Sequence, residues 1–227
     1  MNVAVLLAAG KGQRMGDTIV PKQFLKVDDL ELFLYSLMTF DNCTAIHKIL
    51  MVTRDEDIEK MSSLIKEHKL EKKIIGIIPG GETREESVKC AINHLQGMKK
   101  MKNPIVLIHD TARPLVDLDI ITNNVLVCGE FGAAVTAIPA SDSILAGEDV
   151  VNNELDRNRI WLAQTPQTFR LNTLIEAFKN STEHVTDDCG MVINIGVKPH
   201  IVLGSKRNFK ITTSEDLTLL EAYLDRR

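Results

Sequence analysis

The feature that most constrains this chain is its N-terminal segment, where a short apolar run leads into a glycine-spaced loop. The run Val3–Leu7 has the length of a strand that is buried on both faces of a sheet. Gly10 and Gly12 follow it, and glycines let the backbone approach a ligand closely. Cationic side chains in the same segment can neutralise a polyphosphate; they are Lys11, Arg14 and Lys22. We therefore predict a loop at a strand end that binds a nucleoside triphosphate.

Two better-known phosphate loops do not fit this spacing. A P-loop requires Gly-x-x-x-x-Gly-Lys-Ser/Thr, which the sequence lacks, and a dinucleotide loop requires Gly-x-Gly-x-x-Gly. Met15 stands where the dinucleotide loop has its third glycine. The alternative to a triphosphate-binding loop is an ordinary surface turn after a strand. The segments that follow make this alternative less favoured; they are Arg14-Met15-Gly16 and Pro21-Lys22-Gln23.

Apolar runs of strand length alternate with apolar residues at helical spacing. This alternation predicts an α/β fold with a Rossmann-like, mostly parallel sheet and helices on both faces. Ligands of such sheets bind outside the carboxyl ends of the strands, which is where the Gly10 loop lies. We expect a single domain over residues 1–227. The strand-like runs are Val3–Leu7, Ile49–Val52, Ile74–Ile78, Ile105–Ile108 and Ala133–Pro139.

Composition narrows the possible partners. The formal net charge of −4 over 227 residues gives no support to nucleic-acid binding. No apolar run reaches the roughly 18 residues of a membrane helix, and no signal peptide is evident, so we expect a cytoplasmic protein without membrane contact. The four cysteines lack metal-site spacing, and free thiols are expected.

The segment Gly80–Ser87 follows the third predicted strand. Thr83 and Glu86 have the spacing of a capping box that opens a helix. A turn followed by a cap is one interpretation. The other is a pocket for a base, in which Gly80 and Gly81 expose backbone groups and Ser87 supplies a side-chain partner.

Asp110 lies at the tip of the fourth predicted strand. A carboxylate beside a phosphate loop is well placed to hold Mg²⁺, which takes one or two carboxylates together with phosphate oxygens and water. Taken alone, Asp110 could instead be merely a turn former or a helix cap, which turn chemistry favours.

Regular alternation is lost over residues 140–157, and a turn over Ala146–Asp149 separates two short apolar pairs. We predict a two-stranded arm, which has to pack against something because an isolated hairpin is marginally stable in water. Further along, we predict a strand over Asn208–Thr212 and a final helix capped by Ser214.

These motifs together resemble the sugar-phosphate nucleotidylyltransferases, and within them the 2-C-methyl-D-erythritol 4-phosphate cytidylyltransferase family. The resemblance runs from residue 3 to about residue 225. It rests on six separated motifs, the most specific being Ala8-Ala9-Gly10-x-Gly12-x-Arg14-Met15, Pro21-Lys22-Gln23, Gly80-Gly81-x-x-Arg84-x-x-Ser87, His109-Asp110-x-Ala112-Arg113-Pro114 and Thr165-Pro166-Gln167-x-Phe169.

The resemblance implies a role for each matching residue. Arg14, Lys22 and Lys210 are implied as catalytic, and Asp110 as the Mg²⁺ ligand. The arm at 140–157 is implied to form a homodimer and to contribute to the partner's substrate pocket. The implied CTP-binding residues are Ala8, Ala9, Gly10, Lys11, Gly12, Gly80, Gly81, Glu82, Ser87 and Thr111. The implied residues for the polyol phosphate are Arg113, Asp142, Ser143, Arg157, Thr165 and Thr186.

The implied reaction transfers CMP from CTP to 2-C-methyl-D-erythritol 4-phosphate, in isoprenoid precursor synthesis, and releases pyrophosphate. The substrate phosphate would attack the α-phosphorus in line, so no protein nucleophile is needed. Ribitol 5-phosphate is the alternative acceptor, although Ala8-Ala9-Gly10 favours methylerythritol phosphate, since the ribitol branch tends to have Ala-Gly-Gly. A more distant alternative is a non-catalytic nucleotide-binding regulatory module.

Overall fold

The computed structural model describes residues 1–10, 20–98, 101–180 and 187–225, which contain eleven strands and seven α-helices. The strands are β1 (Asn2–Leu7), β2 (Lys26–Val27), β3 (Leu30–Glu31), β4 (Lys48–Thr53), β5 (Ile74–Pro79), β6 (Ile105–Asp110), β7 (Ala133–Pro139), β8 (Ile144–Gly147), β9 (Val151–Leu155), β10 (Trp161–Arg170) and β11 (His200–Leu203). The helices are α1 (Leu32–Asn42), α2 (Ile58–Glu67), α3 (Arg84–Gly97), α4 (Leu118–Phe131), α5 (Leu171–Asn180), α6 (Asp188–Asn194) and α7 (Ser214–Leu224).

Seven strands form the main sheet, in the order β11-β7-β10-β6-β1-β4-β5. β1 is parallel to both β4 and β6, and β10 is antiparallel to both β6 and β7. The sheet is therefore mostly parallel, which confirms the predicted fold class. Leu7 is paired with Asp110, so the ends of β1 and β6 meet at the same edge.

Helices cover both faces of this sheet. Ala4 and Leu6 of β1 pack into one core with α1, α2 and α4, whereas Val3, Val5 and Leu7 pack into the other with α3, α5 and α6. Successive side chains of a strand point to opposite faces, so an uninterrupted apolar run is needed to fill two cores. This is the physical reason for the continuous apolar sequence of β1.

The segment between β7 and β10 leaves the main sheet. β8 and β9 form a two-stranded antiparallel sheet in which Ile144 pairs with Leu155. All of β9 is exposed, and Leu145 of β8 is 57% exposed. The hairpin therefore presents apolar side chains to solvent, a property typical of surfaces that another molecule covers.

Two local predictions are wrong. Asn208–Thr212 is not a strand but an irregular segment, in which the Asn208 side chain donates to the carbonyl of Thr165 at 2.8 Å. α7 is capped by Thr213 rather than Ser214, because the Asp216 carboxylate accepts the Thr213 backbone N–H at 2.9 Å. In the described part of the chain, no helix is both long enough and apolar enough to cross a membrane.

Candidate active site

A cavity of about 420 Å³ lies at the edge of the sheet where β1 and β6 end. Its walls come from the residues after β1, the start of α3, the end of β6 and the irregular segment before α7. The described residues that line it are Leu7, Ala8, Ala9, Gly10, Lys22, Gln23, Leu32, Gly81, Glu82, Thr83, Arg84, Ser87, Asp110, Thr111, Ala112, Lys210 and Thr212.

Asp110 is held between two cations in this cavity. Its Oδ1 accepts from Arg84 Nε at 3.0 Å, and its Oδ2 accepts from Lys210 Nζ at 2.6 Å. Burial opposes ionisation of the carboxyl, but Arg84 and Lys210 outweigh it and hold the pKa of Asp110 well below its usual range. Asp110 is therefore an anion at any physiological pH.

A buried hydrogen-bond chain fixes the backbone at Asp110. The Asp110 N–H donates to Thr165 Oγ1 at 3.2 Å, and that hydroxyl lies 3.0 Å from His109 Nδ1. His109 Nε2 is 3.2 Å from the carbonyl of Arg113, which can only accept, so Nε2 carries the proton and Nδ1 accepts from Thr165. Burial lowers the pKa of His109 to about 4, so the ring is neutral near pH 7.

The turn before α3 is tightly packed against its own helix. Ser87 Oγ accepts the Gly81 N–H at 3.2 Å and donates to the Thr83 carbonyl at 3.0 Å. A Cβ on Gly80 would lie 2.6 Å from Ser87 Oγ, and one on Gly81 would lie 2.3 Å from the Glu86 Cβ. The predicted Thr83–Glu86 capping box is present. Both glycines are therefore required by close packing, whether or not the turn also binds a base.

Lys22 enters the cavity from a short 3-10 turn. Its Nζ donates to the Ile211 carbonyl at 2.9 Å, next to Lys210. The neighbouring Gln23 donates to Asp57 at 2.9 Å, and Arg54 holds the same carboxylate at 2.6 Å. The turn that carries Lys22 is thus anchored on both sides, to the segment before α7 and to the start of α2.

The structure brings ten of the predicted site residues together around the cavity, and four others lie outside the described residues. The ten are Ala8, Ala9, Gly10, Lys22, Gly81, Glu82, Ser87, Asp110, Thr111 and Lys210. The four outside the described residues are Lys11, Gly12, Arg14 and Thr186.

The remaining predicted residues do not line the cavity. Gly80 and Thr165 lie just behind it, and the hydroxyl of Thr165 is engaged by His109 and by the Asp110 N–H. Arg113 points to the Asn208 carbonyl, 2.8 Å from its Nη1. Asp142, Ser143 and Arg157 are all exposed in the arm region, where Arg157 donates to the Ser141 carbonyl at 3.1 Å. Within one chain, the arm residues therefore stand apart from the residues that line the cavity.

Three residues at the site were missed by the sequence reasoning. Arg84 was within the quoted glycine-rich motif but was given no role, and it bridges Asp110 and Asp188. Asp188, the first residue of α6, belongs to none of the sequence motifs. His109, next to Asp110 in sequence, was not assigned a function, and only its place in a buried hydrogen-bond chain reveals one.

Comparison with known proteins identifies the family. The 2-C-methyl-D-erythritol 4-phosphate cytidylyltransferase family, IspD, matches residues 2–226. The chain belongs to this family. The cytidylyltransferase of that name from Thermosipho melanesiensis is 37% identical over 223 residues, covering 97% of this chain and 96% of the relative. These matches extend over all elements that build the cavity.

Two further matches bear on fold and specificity. The crystal structure of 4-diphosphocytidyl-2C-methyl-D-erythritol synthase from Anaerococcus prevotii superposes with a TM-score of 0.85 at 26% identity, covering 99% of this chain and 96% of that chain. A ribitol-5-phosphate cytidylyltransferase from Lacticaseibacillus paracasei is 33% identical over 235 residues, covering 99% of this chain and 98% of the relative. The sequence identities to a methylerythritol-phosphate enzyme and to a ribitol-phosphate enzyme, 37% and 33%, thus differ only slightly.

Proposed function

We propose that this IspD-family enzyme transfers the cytidylyl group of CTP to the phosphate of 2-C-methyl-D-erythritol 4-phosphate. A phosphate oxygen of the acceptor attacks the α-phosphorus, the bond to the β-phosphate oxygen breaks, and pyrophosphate leaves. The acceptor phosphate is already a nucleophile near neutral pH, so the protein has to position two polyanions and stabilise developing charge. The observation that carries this proposal is the placement of Lys22, Lys210 and Asp110 around one cavity at the carboxyl edge of the sheet.

Each cavity residue has a role consistent with this reaction. Lys22 and Lys210 face the α-phosphate and offset the charge that grows on it. The backbone around Gly10 and Gly81 suits the triphosphate and the base, and Ser87 supports the base-facing turn. Arg14 and Lys11 are proposed for the phosphates from the sequence motif alone.

Asp110 is the proposed ligand of Mg²⁺. The described residues contain no cluster of three or more acidic, histidine or cysteine side chains that could hold a metal by themselves. A single anionic carboxylate in a cavity fits Mg²⁺, which takes its other ligands from phosphate oxygens and water. When bound, the ion would neutralise charge on the triphosphate.

The exposed arm supports the proposal that two copies of the chain form a homodimer and that the dimer completes the acceptor subsite. Its exposed apolar side chains, Leu145 and Val151 among them, are suited to packing against a second copy. Asp142, Ser143 and Arg157 would then reach the acceptor phosphate of the partner subunit, with Arg113, Thr165 and Thr186 proposed as further contacts. The cytoplasmic location expected from the sequence stays a prediction.

The acceptor is tested by pyrophosphate release. Purified enzyme with CTP and Mg²⁺ is offered methylerythritol 4-phosphate and ribitol 5-phosphate in parallel. The segment Ala8-Ala9-Gly10 leads us to expect a much higher kcat/KM for methylerythritol 4-phosphate. A preference for ribitol 5-phosphate would contradict the proposed acceptor but would leave the proposed cytidylyl transfer and its site residues standing. Absence of release with both would contradict the proposed activity and favour a regulatory nucleotide-binding module.

A further inference from the structure

We propose that Asp188 is a positioning residue of the transfer reaction, because it fixes the Arg84 guanidinium that in turn orients the Asp110 carboxylate. This inference rests on the proposed function, since it concerns how Asp110 is presented to Mg²⁺ and the triphosphate. Asp188 itself does not line the cavity, and its side chain is 0% exposed. It can therefore act on the substrates only through another residue.

Arg84 links two carboxylates that are distant in sequence. Its Nε donates to Asp110 Oδ1 at 3.0 Å, and its Nη2 donates to Asp188 Oδ2 at 2.8 Å. The guanidinium is a rigid plane with donors in a fixed fork, so two simultaneous partners leave it no rotational freedom. Acidic and basic side chains alternate in the order Asp188, Arg84, Asp110 and Lys210, and burial raises the pKa of Asp188 although Arg84 opposes that rise.

The residues on both sides of Asp188 are held by one buried side chain, that of Gln167. Gln167 of β10 donates from Nε2 to the Asp187 carboxylate at 3.1 Å, and its Oε1 accepts the Cys189 N–H at 2.9 Å. Asp187 also caps α6 by accepting the Gly190 N–H at 2.9 Å. Gln167 pairs with Ile108, two residues before Asp110. The same pair of strands therefore supports Asp110 and the side chain that holds the residues beside Asp188.

Stability alone does not explain a carboxylate at this position. Asp188 Oδ1 is buried, and no donor among the described residues reaches it. A buried ion pair with an unsatisfied oxygen is weak as a source of stability, since apolar residues of similar volume often serve equally well. The arrangement does, however, prevent Arg84 from turning both of its donors toward Asp110.

The two cations on Asp110 consequently differ in how easily they can leave. Arg84 is held by Asp188, whereas Lys210 is a single flexible ammonium on the irregular segment before α7. Arrival of Mg²⁺ would require one carboxylate oxygen to be released, and Lys210 is the partner that can be released. Without Asp188, Arg84 could pair with both Asp110 oxygens and compete with the metal.

The test compares Asp188→Asn, Arg84→Ala and the double variant, with Asn124→Ala as the structural control. Asn124 is also a fully buried polar residue, but it bonds to Thr136 and Thr168, away from the cavity. CTP binding is measured by calorimetry over a series of Mg²⁺ concentrations without acceptor, and kcat is measured separately. Loss of a residue that orients a metal ligand typically costs about 10–100-fold.

We expect Asp188→Asn to raise the half-saturating Mg²⁺ concentration for CTP binding at least about tenfold. We expect the double variant to match Arg84→Ala within about twofold, since Asp188 acts through Arg84. Asn124→Ala should lower the melting temperature and leave the Mg²⁺ dependence unchanged. If Asp188→Asn does not fold, Arg84→Lys, which keeps the charge but cannot bind Asp110 and Asp188 through two fixed donors, should also raise the half-saturating Mg²⁺ concentration, because the Asp110 carboxylate is then no longer oriented.

A wild-type Mg²⁺ dependence in folded Asp188→Asn, or losses that multiply in the double variant, would overturn the inference. Failure of the proposed function looks different, because wild-type enzyme would then bind CTP and release no pyrophosphate with either acceptor.

Discussion

Asp110 and Thr111, which face the cavity, are 7% and 3% exposed, whereas Asp142, Ser143 and Arg157 in the arm region are all exposed. The first group is fixed within one chain by hydrogen bonds, ion pairs and two cores. The second group is carried by a hairpin whose apolar side chains face solvent. We infer from this difference that the described residues of the proposed nucleotide subsite are held within one chain, whereas the proposed acceptor subsite depends on what covers the arm.

The largest effect should come from removing the charge of Asp110. Asp110→Asn keeps the shape but leaves Arg84 and Lys210 without their shared anion and removes the proposed metal ligand. Because a metal ion supplies several kcal/mol of transition-state stabilisation, we expect kcat to fall about 1000-fold. Steady-state kinetics with saturating CTP and acceptor checks this. Activity within tenfold of wild type in a folded variant would show that Asp110 is not central to the nucleotide subsite.

Lys210→Ala should have the next largest effect. Loss of a cation that faces the transferring phosphate typically costs about 100-fold or more in kcat. Lys206→Ala is the matched control, since Lys206 is an exposed lysine just before the same irregular segment and does not line the cavity. The two variants are compared by single-turnover kinetics. Equal single-turnover rates for Lys210→Ala and Lys206→Ala would show that Lys210 does not contribute to the reaction.

His109 gives a smaller effect, on stability rather than on rate. Its pKa is lowered to about 4 in the folded protein, against an ordinary value near 6.5. Between these values the unfolded chain binds more protons than the folded one, so the free energy of unfolding decreases as pH falls from 6.5 to 4. Over this pH range, His109 lowers the free energy of unfolding by about 3 kcal/mol at most.

His109→Gln should remove this part of the pH dependence. Urea unfolding at pH 7 and at pH 4.5 measures it in both proteins, and the exposed His47→Gln serves as control. We expect wild type and His47→Gln to lose more stability than His109→Gln on acidification. The same loss in all three would mean that His109 does not stay neutral when buried.

Much of the fold could be predicted because its strands are short apolar runs. β10 could not, since it buries Gln164, Thr165, Gln167 and Thr168, whose polar groups find partners only in the folded chain. The segment before α7 alternates like a strand, but Phe209 and Ile211 pack under α7 instead of pairing with a neighbour. The alternation of apolar and polar residues in this segment therefore reflects burial under α7 and not pairing with another strand.

The site was predictable where its residues share a local motif. Lys22, Asp110 and Ser87 each belong to a short run of sequence with a recognisable spacing. The pairing of Arg84 with Asp188 spans 104 positions and carries no local signal. Long-range partners of this kind are set by the topology of the sheet, so they emerge only once β6, β10 and α6 are placed.

The division between the two subsites is tested most directly by Leu145→Asp in β8, with Leu126→Asp in α4 as control. Both leucines are exposed, at 57% and 63%, but only Leu145 lies on the arm. Calorimetry gives the CTP affinity, and kinetics gives the acceptor KM, on samples whose oligomeric state is known from ultracentrifugation. We predict a monomeric Leu145→Asp with CTP affinity within about twofold of wild type and an acceptor KM raised about tenfold or more. A monomer with unchanged acceptor KM, or an equal loss of CTP affinity, would contradict the division.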